Sequence, residues 1–174
     1  MKTLVDQLAQ YASYHRDARN VMTHFVGVPM IVLAVVIVLS RPAWVISSGM
    51  VLSPAVLVAL AACLYYILLD VRYGLVLALV LSAMLSLGAW LAQQSAALWL
   101  GWGIGLFVVG WVIQFVGHYW EGKKPAFMDD IVGLLIGPLF VLAEIGFAMG
   151  LRKDVQHAVE ARSGPVRQAA ARTM

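Results

Sequence analysis

Five apolar runs, residues 25–39, 50–69, 73–92, 96–117 and 131–151, leave this chain few folds to choose from. A hydrocarbon core about 30 Å thick needs roughly 20 apolar residues in a helix to cross it. The last four runs reach that length, and the first does so when counted from Asn20. Of the 174 residues 62% are hydrophobic and only 12% charged. A soluble chain of this size has no core large enough to hide that excess, so lipid has to take it up. The expectation is an all-α fold: a polytopic membrane helical bundle of four to five hydrophobic helices plus an N-terminal amphipathic helix. Residues 1–151 read as one membrane-embedded domain and 152–174 as a polar tail, a surface helix that frays, with Arg162, Arg167 and Arg172. No cleavable signal peptide is evident ahead of the first run.

The joints between runs carry turn or interface chemistry: Arg41-Pro42, Ser53-Pro54, Asp70-Val71-Arg72, Gln93-Gln94-Ser95 and Gly122 to Pro125. Trp44, Trp90, Trp99 and Trp120 stand at run ends, as an aromatic belt does. The net charge of +3 is modest, and the basic residues flank apolar runs. That is a membrane pattern and not a phosphate-reading patch, so nucleic acid is not an expected partner. Cys63 is the one cysteine, which rules out an internal disulfide framework and reads as packing.

Topology follows from the cations. With the N-terminus in the cytoplasm and four runs spanning, eleven of the twelve Lys and Arg lie inside and only Arg41 outside, provided the fifth run does not cross. Gly137-Pro138 and Glu144 inside that fifth run argue the same way, for a helix kinked or partly inserted at Gly137-Pro138. The first and fourth runs then bring His24 and His118 to one face of the membrane.

Residues 3–15 read as an amphipathic helix, with Leu4, Leu8, Tyr11 and His15 on one stripe. If this helix ran straight into the next, His15 and His24 would face opposite ways about 13 Å apart. A turn at 16–20, with Asn20 as N-cap, folds it back and puts His15 beside His24. His118 and Glu121 share a helix face at i and i+3, a recurrent metal-binding unit in helical bundles. Three histidines on one side, with a carboxylate, suit non-haem iron(II) or another imidazole-binding metal; the bland alternative is interfacial histidines with a solvated glutamate.

Other polar residues carry two readings each. Gln114 is either a hydrogen-bond partner for an imidazole or a helix–helix contact. Glu144 is either a further ligand or the partner of an arginine. Arg16, Lys123 and Lys124 are candidates for a substrate carboxylate, or headgroup anchors. Asp129 and Asp130 read as caps ahead of the fifth helix, and His157 as solvated.

Tyr14-His15, Asn20, His24 and Pro29, then Gly110-Trp111-x-x-Gln114-Phe115-x-Gly117-His118, then Lys124-Pro125-Ala126-x-x-Asp129, together resemble the membrane 2-hydroxy fatty acid dioxygenases. The likeness covers residues 11–30 and 110–150; between them it is shared hydrophobicity only. It implies an Fe(2+)-dependent enzyme that uses O2 to remove the carboxyl carbon of a long-chain 2-hydroxy fatty acid. His15, His24 and His118 take the place of the metal ligands, and Glu121 stays a candidate on its spacing alone. The long acyl chain would stay among the apolar helices, with membrane lipid as neighbour. Apart from the resemblance, the expected setting is a bacterial inner membrane, since no organelle-retention signal is read in the chain, with the site at the cytoplasmic face. Two other classes fit the same histidines: a haem- or quinone-binding electron carrier, which a Soret band would reveal in the haem case, and a non-catalytic lipid-binding protein, which would tolerate their replacement.

Overall fold

A computed structural model describes residues 2–47 and 50–167. Arg172 and the rest of the expected tail beyond 167 lie outside the described residues. The elements are α1 (Leu4–Ala12), α2 (Ala18–Leu39), β1 (Trp44–Ser47), β2 (Met50–Leu52), α3 (Pro54–Leu69), α4 (Val71–Ala92), α5 (Ala96–Glu121), α6 (Gly133–Ala148) and α7 (Lys153–Ser163), with a 3-10 turn at Ala126–Met128. The all-α expectation holds, with one short antiparallel hairpin, β1–β2, as its exception.

Among the described residues three helices, α2, α4 and α5, are long and apolar enough to cross a membrane, and a fourth span arises if α6 and α7 count as one broken segment. The second apolar run is the one that falls short of expectation. Its first residues enter β2, Ser53 caps the helix by accepting the Val56 amide at 3.4 Å, and α3 keeps only 16 residues. Outward-facing side chains such as Leu75, Leu79, Ile104 and Val108 are at least half exposed, the apolar exterior expected of a protein whose solvent is lipid.

The chain divides into two compact units, one of residues 29–111 and one of residues 1–28 with 112–174. In the first, α3 and α4 form a hairpin at Asp70, whose carboxylate accepts the amides of Arg72 and Tyr73 at 3.0 and 3.1 Å. Gly74 lets the helices close here: a Cβ at this position would lie 2.7 Å from the Ile67 backbone. Trp99 donates its indole N–H to the Ile37 carbonyl at 2.7 Å, and its ring carries the Arg41 guanidinium 4.6 Å from the centroid.

The second unit holds α1, α6, α7 and the ends of α2 and α5 that carry His24 and His118. Thr3 and Asp6 close a capping box at the start of α1. The Leu4, Leu8, Tyr11, His15 stripe is buried throughout, but the helix stops at Ala12 and His15 sits in the turn beyond it. The break therefore falls at 13–17, earlier than expected, and Asn20 is not the cap. Asp17 fills that place, its carboxylate accepting the Arg19 amide at 2.9 Å, while Asn20 is fully buried inside α2. Nor does Gly137-Pro138 break the fifth run: α6 passes through Pro138, and the 115° bend comes after Ala148. Pro138 is the sixth residue of α6, where it removes one i→i−4 amide donor without ending the helix. The stretch expected as a fraying tail packs against the body, with Val155 and Val159 of α7 buried and Arg162 paired to Asp6 of α1.

Candidate metal centre

His15 follows α1 in a turn closed by the Tyr14 and His15 amides on the Tyr11 and Ala12 carbonyls. Its Nδ1–H donates to the Tyr11 carbonyl at 2.7 Å, and its ring stacks on the Tyr11 ring at 4.2 Å and 7°. His24 stands in the second turn of α2, its Nδ1–H donating to the Asn20 carbonyl at 2.9 Å. In both cases a carbonyl can only accept, so the proton is on Nδ1 and Nε2 is left with a lone pair. His118 stands in the last turn of α5 and presents Nδ1 instead.

The three rings crowd one another. Their centroids lie 4.3 Å (His15–His24), 4.9 Å (His15–His118) and 5.3 Å (His24–His118) apart. One nitrogen from each comes within 4.8 Å of the others. His15 and His24 are fully buried and His118 is 6% exposed. His15 Nε2, His24 Nε2 and His118 Nδ1 are buried without a hydrogen-bond partner. Buried polar atoms are ordinarily paired, and three unpartnered imidazole nitrogens this close together could hold a metal ion such as iron or zinc. Burial, with the neighbouring His24 ring second, holds the proton affinity of His15 well below the ordinary histidine range. A neutral imidazole is the form a metal requires.

The helices approach closely at this point because Gly117 has no side chain. A Cβ there would meet Thr23 Oγ1 at 2.1 Å and the Asn20 backbone at 3.2 Å. Gln114, one turn before His118, is buried beside the His24 ring.

Glu121 is not one of the three clustered donors. Its side chain is fully buried; Oε2 accepts the Asp17 amide at 2.7 Å and the Asn20 amide group at 3.2 Å, and Oε1 accepts from Arg167 at 2.8 Å. Glu144 takes the arginine alternative, pairing with Arg16 at 3.2 Å. Arg16 is itself buried, and its guanidinium also donates to the carbonyls of His15 at 3.0 Å and Gly164 at 2.8 Å. Lys123 donates to the Ser13 carbonyl at 2.7 Å. Lys124 pairs with Asp129 at 2.5 Å, and Asp129 also accepts the Tyr14 hydroxyl at 2.8 Å, so it braces the loop and does not cap a helix. Asp130 does not cap α6 either: it accepts the Val132 amide at 3.0 Å in the turn before the helix, whose N-cap is Val132, with no side-chain capping bond. His157 is exposed.

Sequence reasoning missed Tyr11 and Asn20 as the residues that orient the rings. Both stand four positions before a histidine, where a helical carbonyl reaches an imidazole. That spacing was visible in the sequence. Arg167 gave no such signal.

Comparison with known proteins places these residues in context. A family model described as 2-hydroxy-palmitic acid dioxygenase Mpo1-like matches residues 1–149. The chain is 29% identical over 170 residues to the 2-hydroxy-palmitic acid dioxygenase MPO1 of Saccharomyces cerevisiae, an alignment covering 94% of each protein. No solved structure matches the chain.

Proposed function

The chain belongs to the Mpo1-like family of 2-hydroxy-palmitic acid dioxygenases, and we propose that it is an iron(II)-dependent enzyme that shortens long-chain 2-hydroxy fatty acids by one carbon with O2. The stoichiometry closes without a further reductant. A 2-hydroxy acid and O2 give the acid one carbon shorter, CO2 and water, so the four electrons that O2 accepts all come from the substrate.

The observation that carries the reading is the convergence of three buried, unpartnered imidazole nitrogens, from His15, His24 and His118. Iron(II) held by these three would have positions left for O2 and for the hydroxyl and carboxylate oxygens of the substrate. The chain's own residues orient and protect that donor set. The Tyr11 and Asn20 carbonyls fix the tautomers of His15 and His24. Tyr11 and Phe140 wall off the His15 ring on its apolar side, which excludes water and keeps the imidazole neutral. Cations cluster near the site, with Arg16 and Arg19 ahead of α2 and in its first turn and Lys123 and Lys124 after α5. By the positive-inside bias the site then opens at the cytoplasmic face of the membrane.

The test is product analysis. Detergent-purified protein loaded with iron(II) and given 2-hydroxypalmitate in air should yield pentadecanoate, and palmitate itself should be left unchanged. Loss of pentadecanoate under anaerobic conditions completes the expected pattern. No product from the hydroxy acid, or equal consumption of palmitate, sinks the proposal.

A further inference from the structure

We infer that Arg167 is a positioning residue for the three-histidine site, acting through Glu121; the inference rests on the reading of that site as a metal centre. Arg167 lies beyond residues 1–149, the part of the chain matched by the family model. The chain reaches it through Gly164, whose φ of +79° turns the backbone out of α7, a conformation that suits glycine.

From there the segment runs beside the loop that carries His15. The Arg167 amide donates to the Arg16 carbonyl at 2.6 Å, and the Ala18 amide donates to the Arg167 carbonyl at 3.0 Å. Together they form a parallel bridge between Asp17 and Arg167. Arg16 adds a bond from its guanidinium to the Gly164 carbonyl at 2.8 Å. These backbone contacts aim the Arg167 guanidinium at Glu121 Oε1, 2.8 Å away.

The two partners sit in unlike surroundings: the Arg167 side chain is 64% exposed, whereas that of Glu121 has no exposure. A buried carboxylate without a countercharge is costly, and turning out to solvent relieves the cost. That movement disturbs the site, because Glu121 ties its three segments together. It stands three residues after His118 on α5. Through Oε2 it holds the Asp17 amide at the head of α2 and the Asn20 amide group. Asn20 in turn orients His24 through its carbonyl and binds the Tyr14 carbonyl, next to His15, at 3.2 Å. One carboxylate therefore registers all three imidazoles, and Arg167 keeps it in place.

The experiment uses the full chain in detergent with cobalt(II) alone as the probe, reading its visible absorption bands and its Kd. Arg167→Ala should weaken cobalt(II) binding roughly tenfold or more, as loss of an outer partner commonly does, and should shift the bands. Arg167→Lys should restore most of the affinity. In a Glu121→Gln background Arg167→Ala should add little. The exposed side chain and the retained backbone bonds predict unchanged helix content by far-UV circular dichroism. Wild-type affinity and bands in Arg167→Ala overturn the role, as does an equal loss in the Glu121→Gln background. A wild-type protein that takes up no cobalt(II) or iron(II) overturns the metal centre itself, which separates the two failures.

Discussion

His15 and Tyr11 are joined twice: a 2.7 Å hydrogen bond runs from the imidazole Nδ1 to the tyrosine carbonyl, and the two rings stack at 4.2 Å. The bond fixes which nitrogen faces the site, and the stack fixes the ring plane. Only the stack depends on the Tyr11 side chain. Tyr11→Phe should therefore keep metal binding, whereas Tyr11→Ala should lose both affinity and about 3 kcal/mol of stability by leaving a cavity beside His15. Thermal melts and metal titration of the two variants measure the contrast; equal behaviour would show that the stack does not hold the ring.

Gly117 sets the distance between the helix ends that carry His24 and His118. A methyl group there collides with Thr23, whose side chain can move, and with the Asn20 backbone, which is fixed in α2. Gly117→Ala should cost about 1–3 kcal/mol by overpacking and lower the metal stoichiometry. A variant with wild-type melting temperature and full metal content would mean that the close approach is dispensable.

The Arg16–Glu144 pair, 6% and 12% exposed, is a buried ion pair next to His15 in the chain. Removing one charge strands the other. Glu144→Gln should destabilise by about 3 kcal/mol, and Arg16→Met/Glu144→Met should recover part of that loss, since an apolar pair often replaces a buried ion pair at little cost. Chemical denaturation monitored by circular dichroism provides the comparison. If the double variant is no better than Glu144→Gln, the bonds of Arg16 to the His15 and Gly164 carbonyls matter more than the charge pair.

At acid pH the N-terminal cap of α1 should weaken, and with it the Asp6 contact to α7. The Thr3 side chain and backbone, with Arg162 after them, hold the Asp6 carboxyl at about 2, below its ordinary value near 3.9. A depressed acid contributes stability that is complete above its unfolded pKa and is lost as pH falls through the folded one. Its share should therefore disappear between about pH 4 and pH 2. Asp6→Asn should flatten the melting-temperature profile over that window and leave it unchanged at neutral pH apart from a constant offset. An identical slope in the variant would assign the acid sensitivity to other carboxylates.

Local periodicity made much of this visible in the sequence. The Leu4, Leu8, Tyr11 stripe announced a helix with His15 in line with its buried face, and the apolar run ending at His118 announced the other half of the site. The parts that stayed hidden depend on tertiary context. Asn20 and Asp17 are both good caps by residue type; Asp17 caps, and Asn20 is buried between the Tyr14 carbonyl and Glu121. Residues 50–52 are as apolar as the helix that follows, yet pairing with 44–47 makes them a strand. Glu121 was a fair ligand candidate by spacing, since i and i+3 share a face. What occupied it was Arg167, 46 residues away, and no local pattern couples those two positions.

The central claim is that His15, His24 and His118 hold one metal ion, and metal content tests it most directly. Iron should be measured by elemental analysis in detergent-purified protein grown with added iron, beside the His15→Ala, His24→Ala and His118→Ala variants. The account predicts close to one iron per wild-type chain and little in each variant, with helix content retained. Wild-type protein that stays free of metal, or single variants that keep a full equivalent, would contradict it.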